Sequence, residues 1–320
     1  MRFDIVGIDS PCVDLAVNVN RFPVPNGGER VQQLSWQGGG KVASGMVAAA
    51  RLGMKCAIMG NVGTDKYGDY CIWDFKNHGI DTSYLYQRMG KTTGLDVVIS
   101  DKETMGRSLV FYPGTSERMQ PEEVNQEYLS QTDCFYLSAV NETTAFAADI
   151  ARQAGARILI DADSYSEELM NFLPKIDVFI GSEFVYQRVF GENGSREENC
   201  KKMRKEGPSV VVFTFGEKGC CGLSDEGYFE LPAFEVEVQD TVGAGDVFHG
   251  AFAAGLALQY SVRETARLAS AVSAIKCTRI GGRAGIPSLP VVRHYLETGV
   301  VDYTEIDKRV ELYRKGLDYV

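Results

Sequence analysis

Short apolar segments alternate with segments of helical periodicity through the middle of the chain. The apolar segments are 134–138, 157–161, 177–180 and 209–214, and the helical patterns are 143–154, 183–190 and 196–205. This repetition predicts an α/β fold with a mostly parallel sheet, flanked by helices, because parallel strands need crossover connections. Ligands of such folds bind at the carboxyl ends of the strands, where we expect Asp161, Ser182 and Thr214 to lie.

Two parts of the chain depart from this alternation and are rich in predicted strands. Residues of about 12–36 and 92–112 each predict a pair of strands, since apolar and polar side chains alternate along them. No composition that is typical of a linker separates them from the rest. We therefore expect a single α/β domain over residues 1–320, in which these two parts form a small β-sheet lid that closes over a substrate.

A turn of small residues lies where a predicted strand meets a predicted helix in the last third of the chain. Apolar and polar residues alternate over 234–238, and apolar residues recur at helical spacing after Asp246. The turn between them is Gly243-Ala244-Gly245, whose N–H groups at a helix start would form an anion pocket open to a phosphate. The carboxylate of Asp246 beside this pocket suits a base that deprotonates an attacking hydroxyl. An ordinary helix start with a dipole-stabilising Asp is the alternative.

A second glycine-rich turn, Gly38-Gly39-Gly40-Lys41, precedes an alanine-rich helical segment at 42–52. It is not a Walker loop, and its contiguous glycines do not fit the dinucleotide-binding fingerprint. Three glycines expose backbone N–H groups to a polar ligand, and Lys41 adds a positive charge. From these residues alone, a tight packing turn is an equally good interpretation.

The composition restricts the class of partner. The chain has 320 residues and a formal net charge of -10, which argues against a nucleic-acid partner because phosphate backbones attract basic surfaces. No apolar run approaches the roughly 20 residues that span a bilayer, so we expect no membrane insertion. The eight cysteines are scattered, without Cys-x-x-Cys pairs. We therefore expect free thiols, no structural zinc and a cytoplasmic location.

Taken together, these motifs resemble those of the ribokinase (PfkB-type) carbohydrate kinases. Residues 240–246 read D-T-V-G-A-G-D and match the family signature D-T-x-G-A-G-D, which is the most specific similarity. Residues 39–41 resemble the first motif of the family, and 214–219 resemble its nucleotide-site turn. The resemblance covers about residues 3–290. It implies a ribokinase-like fold, as in ribokinase-like or ketohexokinase-like members, in which the small sheet covers the sugar.

The resemblance also implies roles for individual residues. Asp246 would be the base that deprotonates the acceptor hydroxyl. The N–H groups of the anion pocket would hold the transferred phosphoryl group, and they belong to Gly243, Ala244 and Gly245. The residues that would bind the substrate are Asp14, Gly40, Lys41 and Ser44. The residues that would bind the nucleotide are Thr214, Gly216 and Gly219, together with Gly243 and Gly245.

The implied cofactors are ATP and Mg²⁺, which would arrive together because Mg²⁺ seldom has an all-protein cage. Asp240 and Thr241 lie where many members of the family bind a monovalent cation, so K⁺ is a further candidate. Three residues depart from the family pattern. Ser44 replaces an Asn that binds the sugar, whereas Ser182 and Val185 replace the Asn and Glu of a motif that positions hydrated Mg²⁺. These departures imply a different sugar contact and either weaker Mg²⁺ dependence or a substitute carboxylate.

The leading expectation is an ATP-dependent kinase that phosphorylates a hydroxyl, as in a hydroxymethyl group, of a small sugar or sugar derivative. One alternative is a nucleoside kinase of the same fold, for which Trp36 is a candidate stacking platform. Another is a non-catalytic sugar- or nucleotide-binding protein, suggested by Ser182 and Val185, although the intact Asp246 argues against it. An exposed edge of the lid could pair with a second copy to form a homodimer.

Overall fold

The structure, a computed structural model, describes residues 2–104 and 106–318. In this part of the chain the strands form a large sheet of nine and a small sheet of four. Numbered along the chain, the strands of the large sheet are β1 Phe3–Asp9, β4 Cys56–Gly63, β5 Asp81–Arg88, β8 Thr132–Leu137, β9 Arg157–Ala162, β10 Val178–Ser182, β11 Val210–Thr214, β12 Cys220–Ser224 and β13 Gly227–Leu231. The strands of the small sheet are β2 Cys12–Val19, β3 Val31–Gly38, β6 Gly94–Asp101 and β7 Arg107–Tyr112.

The large sheet is mostly parallel, as the alternation in the sequence predicts. Its strand order is β13-β12-β11-β10-β9-β8-β1-β4-β5. Neighbouring strands from β11 to β5 are parallel, whereas β12 and β13 form an antiparallel hairpin at one edge. All eight residues of β4 are buried, because helices cover both faces of the sheet.

The helices pack on both faces of this sheet. Among the described residues they are α1 Lys41–Arg51, α2 Lys66–Asn77, α3 Gln126–Ser130, α4 Glu142–Gln153, α5 Glu167–Phe172, α6 Glu183–Phe190, α7 Arg196–Lys205, α8 Ala244–Ala257, α9 Val262–Lys276, α10 Leu289–Thr298 and α11 Thr304–Arg314. One hydrophobic cluster contains Ile5 and Ile58 with residues of α1, α2 and α8 to α11. The other contains Val6 and Met59 with residues of α3 to α7. Successive residues of β1 and β4 therefore serve opposite faces.

The predicted helices 183–190 and 196–205 are confirmed as α6 and α7, but the predicted strand at 234–238 is wrong. This segment connects β13 to α8 without joining either sheet. Its alternating residues favour an extended backbone, but a strand also needs a neighbour, and the large sheet ends at β13. The amides of Gln239 and Asp240 instead donate to the carbonyl oxygen of Cys277, at 2.8 and 3.1 Å.

The small sheet, called the lid below, contains the four strands predicted for it. Its order is β3-β2-β6-β7, in which β2 and β6 are parallel and the two outer strands are antiparallel to their neighbours. Short connections join it to β1 and β5 of the large sheet. Every residue of the edge strand β7 is exposed. The lid therefore has one open edge.

α1 and α8 approach each other at two glycines. A Cβ at residue 250 would overlap the carbonyl oxygen of Gly45, so the backbones touch where these helices cross and Gly250 is required. A Cβ at residue 45 would lie 2.5 Å from the ring of Tyr136 and 2.9 Å from the carbonyl oxygen of Asp246. This contact places the first turns of α1 and α8 side by side, each preceded by one of the glycine-rich turns.

A buried polar network attaches the C-terminal helix. Arg283 is 0% exposed, donates to the Asp74 carboxylate in α2 and lies 5.0 Å from the ring centroid of Phe75. Tyr313 in α11 donates to the other oxygen of Asp74 at 2.6 Å, and Nε2 of His78 lies 3.0 Å from the Tyr313 hydroxyl. Burial lowers the pKa of His78 to about 4, so its imidazole is neutral at pH 7.

Acid should therefore destabilise the protein through His78. The pKa of this imidazole is 6.5 in the unfolded chain and about 4 in the folded one, so below pH 6.5 the unfolded chain binds a proton that the folded chain excludes. The free energy of unfolding should fall between about pH 6.5 and pH 4, by up to ~3 kcal/mol from this group. Urea titrations should show this loss in the wild type relative to His78→Gln. Equal pH slopes for both proteins would contradict it.

Candidate active site

The turn 243–245 forms the amino end of α8, as predicted. Gly243 has φ 70° just before the helix, a conformation that glycine adopts without steric cost. The amide of Ala244 donates to the carbonyl oxygen of Thr241 at 3.2 Å. Within the described residues, no group accepts a hydrogen bond from the amides of Gly243 and Gly245, which lie at the positive end of the helix. A Cβ at residue 245 would have no neighbour within 4 Å, so the space above it is open.

Asp246 lies in the first turn of α8, beside these amides. Burial raises the pKa of Asp246 well above its usual range, and the neighbouring Asp161 carboxyl raises it further. The ammonium group of Lys41, at the start of α1, opposes this increase, and Asp9 and Asp163 add to it. The starts of α1 and α8 and the ends of β1 and β9 therefore bring four carboxyl groups and one ammonium group into the same region.

Asp161, near the end of β9, is the buried neighbour of Asp246. It is 1% exposed, and within the described part of the chain neither of its carboxylate oxygens has a hydrogen-bond partner. Nε2 of His249 in α8 lies 3.4 Å from Oδ1 of Asp161 and 3.2 Å from the carbonyl oxygen of Ile180. Burial raises the pKa of Asp161, and His249 partly offsets the increase. Asp161 and Asp246 form a pair of interacting carboxyl groups, which is typical of catalytic sites.

The first glycine-rich turn is also a helix start, and its glycines are closely packed. Gly40 precedes α1 with φ 100°. Asp9, at the end of β1, accepts a hydrogen bond from the amide of Ala43 at 2.8 Å. Lys41 forms an ion pair with Asp163, which follows β9. Burial would lower the pKa of Lys41, but the hydrogen bond to Asp163 and the surrounding carboxylates outweigh burial and raise it.

Asp14 and Asp96 form a carboxylate pair on the lid. They are in register on the adjacent parallel strands β2 and β6, so their side chains share one face. Burial raises the pKa of Asp14 to about 7, and the charge of Asp96 contributes to the increase. Sγ of Cys12 lies 3.5 Å from Asp14 and 3.4 Å from Asp96. A Cβ at Gly39 would overlap the Asp14 carboxylate, so the turn before α1 lies against this pair. Asp96 was not predicted, because only strand pairing brings it to Asp14.

Two other residues that the sequence singled out have different partners in the structure. Ser44 is buried in α1, and its hydroxyl accepts a hydrogen bond from Nε of Arg283 at 3.4 Å. Trp36 on β3 is in register with Leu15. Its side chain therefore lies on the face of the lid opposite to Asp14, because successive residues of a strand alternate in direction. This position argues against Trp36 as a stacking platform for an acceptor that binds at Asp14.

The predicted nucleotide-site turn follows β11. Thr214 ends this strand, in register with Ser182 at the end of β10. Gly216 and Gly219 have φ angles of 57° and 85°. The amide of Phe215 donates to the carbonyl oxygen of Gly219 at 2.8 Å and closes the turn. The turn therefore lies at the carboxyl edge of the parallel strands, where α/β folds bind their ligands.

The residues that depart from the family motif leave a different carboxylate beside it. Ser182 caps α6 by accepting from the Val185 amide at 3.3 Å, and its hydroxyl donates to the carbonyl oxygen of Asp163 at 2.9 Å. Val185 is fully buried, and Glu183 is paired with Lys218 at 3.1 Å. Oδ1 of Asp163 has no hydrogen-bond partner among the residues that the structure describes. An oxygen of this kind suits Mg²⁺ or the water bound to it.

The side-chain oxygens of Asp240 and Thr241, the candidate ligands for K⁺, accept hydrogen bonds in the structure. The Asp240 carboxylate accepts from the amides of Val242 at 2.9 Å and Gly281 at 2.8 Å. The Thr241 hydroxyl accepts from the guanidinium group of Arg107, on strand β7, at 3.2 Å. Arg107 therefore connects the lid to the loop that precedes α8.

The sequence matches a known family over most of the chain. The sequence model for the pfkB family carbohydrate kinases matches residues 2–289. The chain belongs to the PfkB family of carbohydrate kinases. It is therefore a ribokinase-like, ATP-dependent sugar kinase, and the family, fold class and enzyme class predicted from the sequence are confirmed.

Several relatives match nearly the full length of this PfkB kinase. It is 28% identical over 311 residues to the ribokinase of Haemophilus influenzae, covering 93% of the chain and 99% of that protein. It is 26% identical over 304 residues to the deoxyribokinase of Salmonella typhi, covering 92% and 98%. The structure of a ribokinase from Thermotoga maritima has a TM-score of 0.78 at 25% identity, covering 92% and 100%. The structure of a putative ribokinase II from E. coli, in complex with ATP and Mg²⁺, has a TM-score of 0.80 at 20% identity, covering 92% and 99%.

Two further observations bear on expectations from the composition. All eight cysteines are free thiols, and seven of them are buried. Within residues 2–104 and 106–318, no helix combines the length and the apolar character needed to cross a membrane. The cytoplasmic location stays a prediction.

Gly39→Ala should impair acceptor binding selectively, because the added methyl group must displace the Asp14 carboxylate. We expect the KM for the acceptor to rise at least about tenfold while the KM for ATP changes less than about twofold. Gly28→Ala, in the loop between β2 and β3, is a control for the same substitution, since a Cβ there meets no atom within 4 Å. Steady-state kinetics of the two variants check the expectation. Equal acceptor KM values would argue that Asp14 does not contact the acceptor.

Proposed function

We propose that this protein transfers the γ-phosphoryl group of ATP to a hydroxymethyl group of a small sugar, with Asp246 as the catalytic base. The observation that carries this proposal is the position of Asp246 in the first turn of α8, beside the unengaged amides of Gly243 and Gly245. The raised pKa of this carboxyl group makes its carboxylate a stronger base than an ordinary aspartate. A protein that only bound phosphate would gain nothing from a carboxylate that repels it.

The anion pocket would stabilise charge on the transferred group. During phosphoryl transfer, negative charge is spread over the equatorial oxygens of the phosphoryl group. The amides of Gly243 and Gly245 and the positive end of α8 would meet this charge without rearranging, the condition under which such groups lower a barrier most. The amide of Ala244 is a weaker candidate than predicted, because Thr241 already accepts its hydrogen bond.

The acceptor would bind between the lid and the turn that precedes α1. Asp14 and Asp96 would accept hydrogen bonds from its hydroxyl groups, and the backbone at Gly40 would contact it from the other side. Lys41 would exchange its ion pair with Asp163 for an acceptor oxygen. The two side chains of that pair are 45% and 41% exposed, so breaking it costs little. Two carboxylates on one face favour a neutral, polyhydroxylated acceptor over one with an anionic group there.

ATP would extend along the carboxyl edge of the sheet, from the turn after β11 to the start of α8. Thr214, Gly216 and Gly219 would line its site, and a Cβ at residue 216 would meet no atom within 4 Å, which leaves room for a ligand. The bound ATP would carry Mg²⁺, which neutralises charge on the phosphates. Asp163 would hold the water shell of that ion, since Val185 has no carboxylate. The ATP and Mg²⁺ in the complex of the E. coli putative ribokinase II support this proposal.

Asp246→Asn should separate binding from catalysis. The substitution keeps the shape of the side chain but removes the base, so kcat should fall by about 10²–10⁴-fold, the usual contribution of a general base. The Kd for ADP, measured by calorimetry, should change little. Asp163→Asn is the matched carboxyl-to-amide control, and it should raise the Mg²⁺ concentration needed for half-maximal activity. Near-normal turnover by Asp246→Asn would eliminate the assigned role.

The acceptor class can be identified by ligand-induced stabilisation. Free sugars, polyols and nucleosides are compared by thermal shift in the presence of a non-hydrolysable ATP analogue, since a ligand at 100 times its Kd adds about 2.7 kcal/mol to the free energy of unfolding. The compounds that stabilise are then tested for ATP consumption. Stabilisation by nucleosides alone would replace the sugar with a nucleoside acceptor, and binding without turnover would indicate a non-catalytic protein.

We also propose that the lid pairs with the lid of a second copy through β7. Val110 and Phe111 of this edge strand are 62% and 66% exposed. An exposed apolar edge with unpaired backbone groups is a ready surface for strand pairing, and a two-fold axis would satisfy both copies. Phe111→Lys should convert a dimer to a monomer in analytical ultracentrifugation. Phe184→Lys, which changes a residue 79% exposed in α6, should leave the dimer intact. A monomeric wild type would contradict the proposal.

A further inference from the structure

Lys276, the last residue of α9, is completely buried although its side chain ends in an ammonium group. It is 0% exposed, and Nζ donates to the main-chain carbonyl oxygens of Asp240, at 3.1 Å, and of Val242. In the described part of the chain it forms no ion pair with a carboxylate. A buried ammonium group is costly unless other oxygens replace its hydration. These two carbonyl oxygens replace it, and together they resemble the oxygen ligands of a monovalent cation.

We propose that the ammonium group of Lys276 is a built-in monovalent cation that holds the 240–243 loop in its phosphate-binding conformation, so that this kinase needs no K⁺. Lys276 is thus a positioning residue rather than a catalytic one. The proposal rests on the proposed function, in which the amides of Gly243 and Gly245 hold the transferred phosphoryl group.

One peptide group links Lys276 to the anion pocket. In a trans peptide the C=O and N–H groups point in opposite directions. Because the carbonyl oxygen of Val242 points to Lys276, the N–H of Gly243, which belongs to the same peptide group, points away from the lysine. Gly243 is the residue that immediately precedes α8. Lys276 therefore sets the direction of one of the two unengaged amides.

A K⁺ ion does not fit beside these oxygens. The carbonyl oxygens of Asp240 and Val242 already face the ammonium group of Lys276. The carboxylate of Asp240 accepts hydrogen bonds from two backbone amides, and the Thr241 hydroxyl accepts one from Arg107. A second positive charge would also be repelled by the ammonium group at this distance. The candidate K⁺ ligands predicted from the sequence are therefore engaged by donors of this chain.

A role limited to helix α9 does not explain these contacts. A lysine in the last turn of a helix commonly interacts with the carbonyl groups of its own helix. Lys276 instead donates to residues 36 and 34 positions earlier in the chain. Carbonyl groups in the last turn of α9, those of Ser273 and Ala274, accept from the amide of Cys277, both at 3.1 Å. The ammonium group of Lys276 therefore stabilises the loop before α8, not the end of its own helix.

The test compares the wild type with Lys276→Ala and Lys276→Met, in choline chloride and in KCl at equal ionic strength. Alanine opens a space beside the carbonyl oxygens of Asp240 and Val242, whereas methionine fills that space without a charge. The melting temperature is measured without ATP or sugar, and kcat/KM is measured with both. The first measurement does not depend on the proposed function.

For the wild type we expect kcat/KM to differ less than about twofold between the two salts. In choline, Lys276→Ala should lose about 10²-fold in kcat/KM, the typical effect of one lost anion-hole donor. Adding K⁺ or NH₄⁺ should increase the kcat/KM of Lys276→Ala by about tenfold or more. It should also raise the melting temperature of this variant. Lys276→Met should lose activity without recovering it, because its side chain fills the cation's place.

Arg309→Met is a control for the loss of a buried cation elsewhere. Arg309 also donates to main-chain carbonyl oxygens, those of Ala284 and Ile286, in a different loop. Its loss should lower the melting temperature equally in both salts.

A wild type that K⁺ activates severalfold would overturn the proposal, as would full activity of Lys276→Ala in choline. If Lys276→Ala does not fold in either salt, the salt dependence of the wild type decides. If no sugar is phosphorylated at all, the proposed function fails. The melting temperature of Lys276→Ala then decides the role of Lys276, which is overturned if K⁺ leaves that temperature unchanged.

Discussion

The backbone contact between α1 and α8 is the constraint on which the candidate site depends. At the crossing, Gly250 lies against the carbonyl group of Gly45, and a side chain at residue 250 would force the helices apart. The crossing is close to the first turn of each helix, so the two glycine-rich turns open onto one region. The positive ends of both helix dipoles converge there, which favours anions. Lys41 and Asp246, from distant parts of the chain, reach the same place through this contact.

The chemistry of the site follows from the charges that this crossing assembles. The carboxyl groups of Asp9, Asp161 and Asp163 surround Asp246, and burial together with these neighbours raises its pKa. The ammonium group of Lys41 offsets part of this increase in the pKa of Asp246. At the 240–243 loop, the ammonium group of Lys276 donates hydrogen bonds to the main-chain carbonyl oxygens of Asp240 and Val242. The proton affinity of the base and the direction of the amides are therefore set by different cations.

Local periodicity predicted those elements whose burial follows a regular spacing. The helices α6 and α7 have the predicted bounds, and the four lid strands lie in the two predicted parts of the chain. The prediction failed at 234–238, because alternation indicates an extended backbone but does not provide a partner strand. It also left the direction of the Trp36 side chain open, because the face that a strand residue occupies depends on how the lid is oriented, and aromatic character carries no information about that.

The order of residues alone specified the family and the start of α8, because the turn 243–245 and Asp246 act through the backbone next to them in the chain. The sequence also showed that Ser44 stands where the family motif has asparagine, and that Val185 stands where the family motif has glutamate. Pairing between strands distant in the chain brought Asp96 to Asp14. Packing of α8 on the sheet brought Asp246 to Asp161, and packing of α9 against α8 brought Lys276 to Val242. No spacing rule contains these contacts, because each depends on which surfaces exclude water together after the chain has folded.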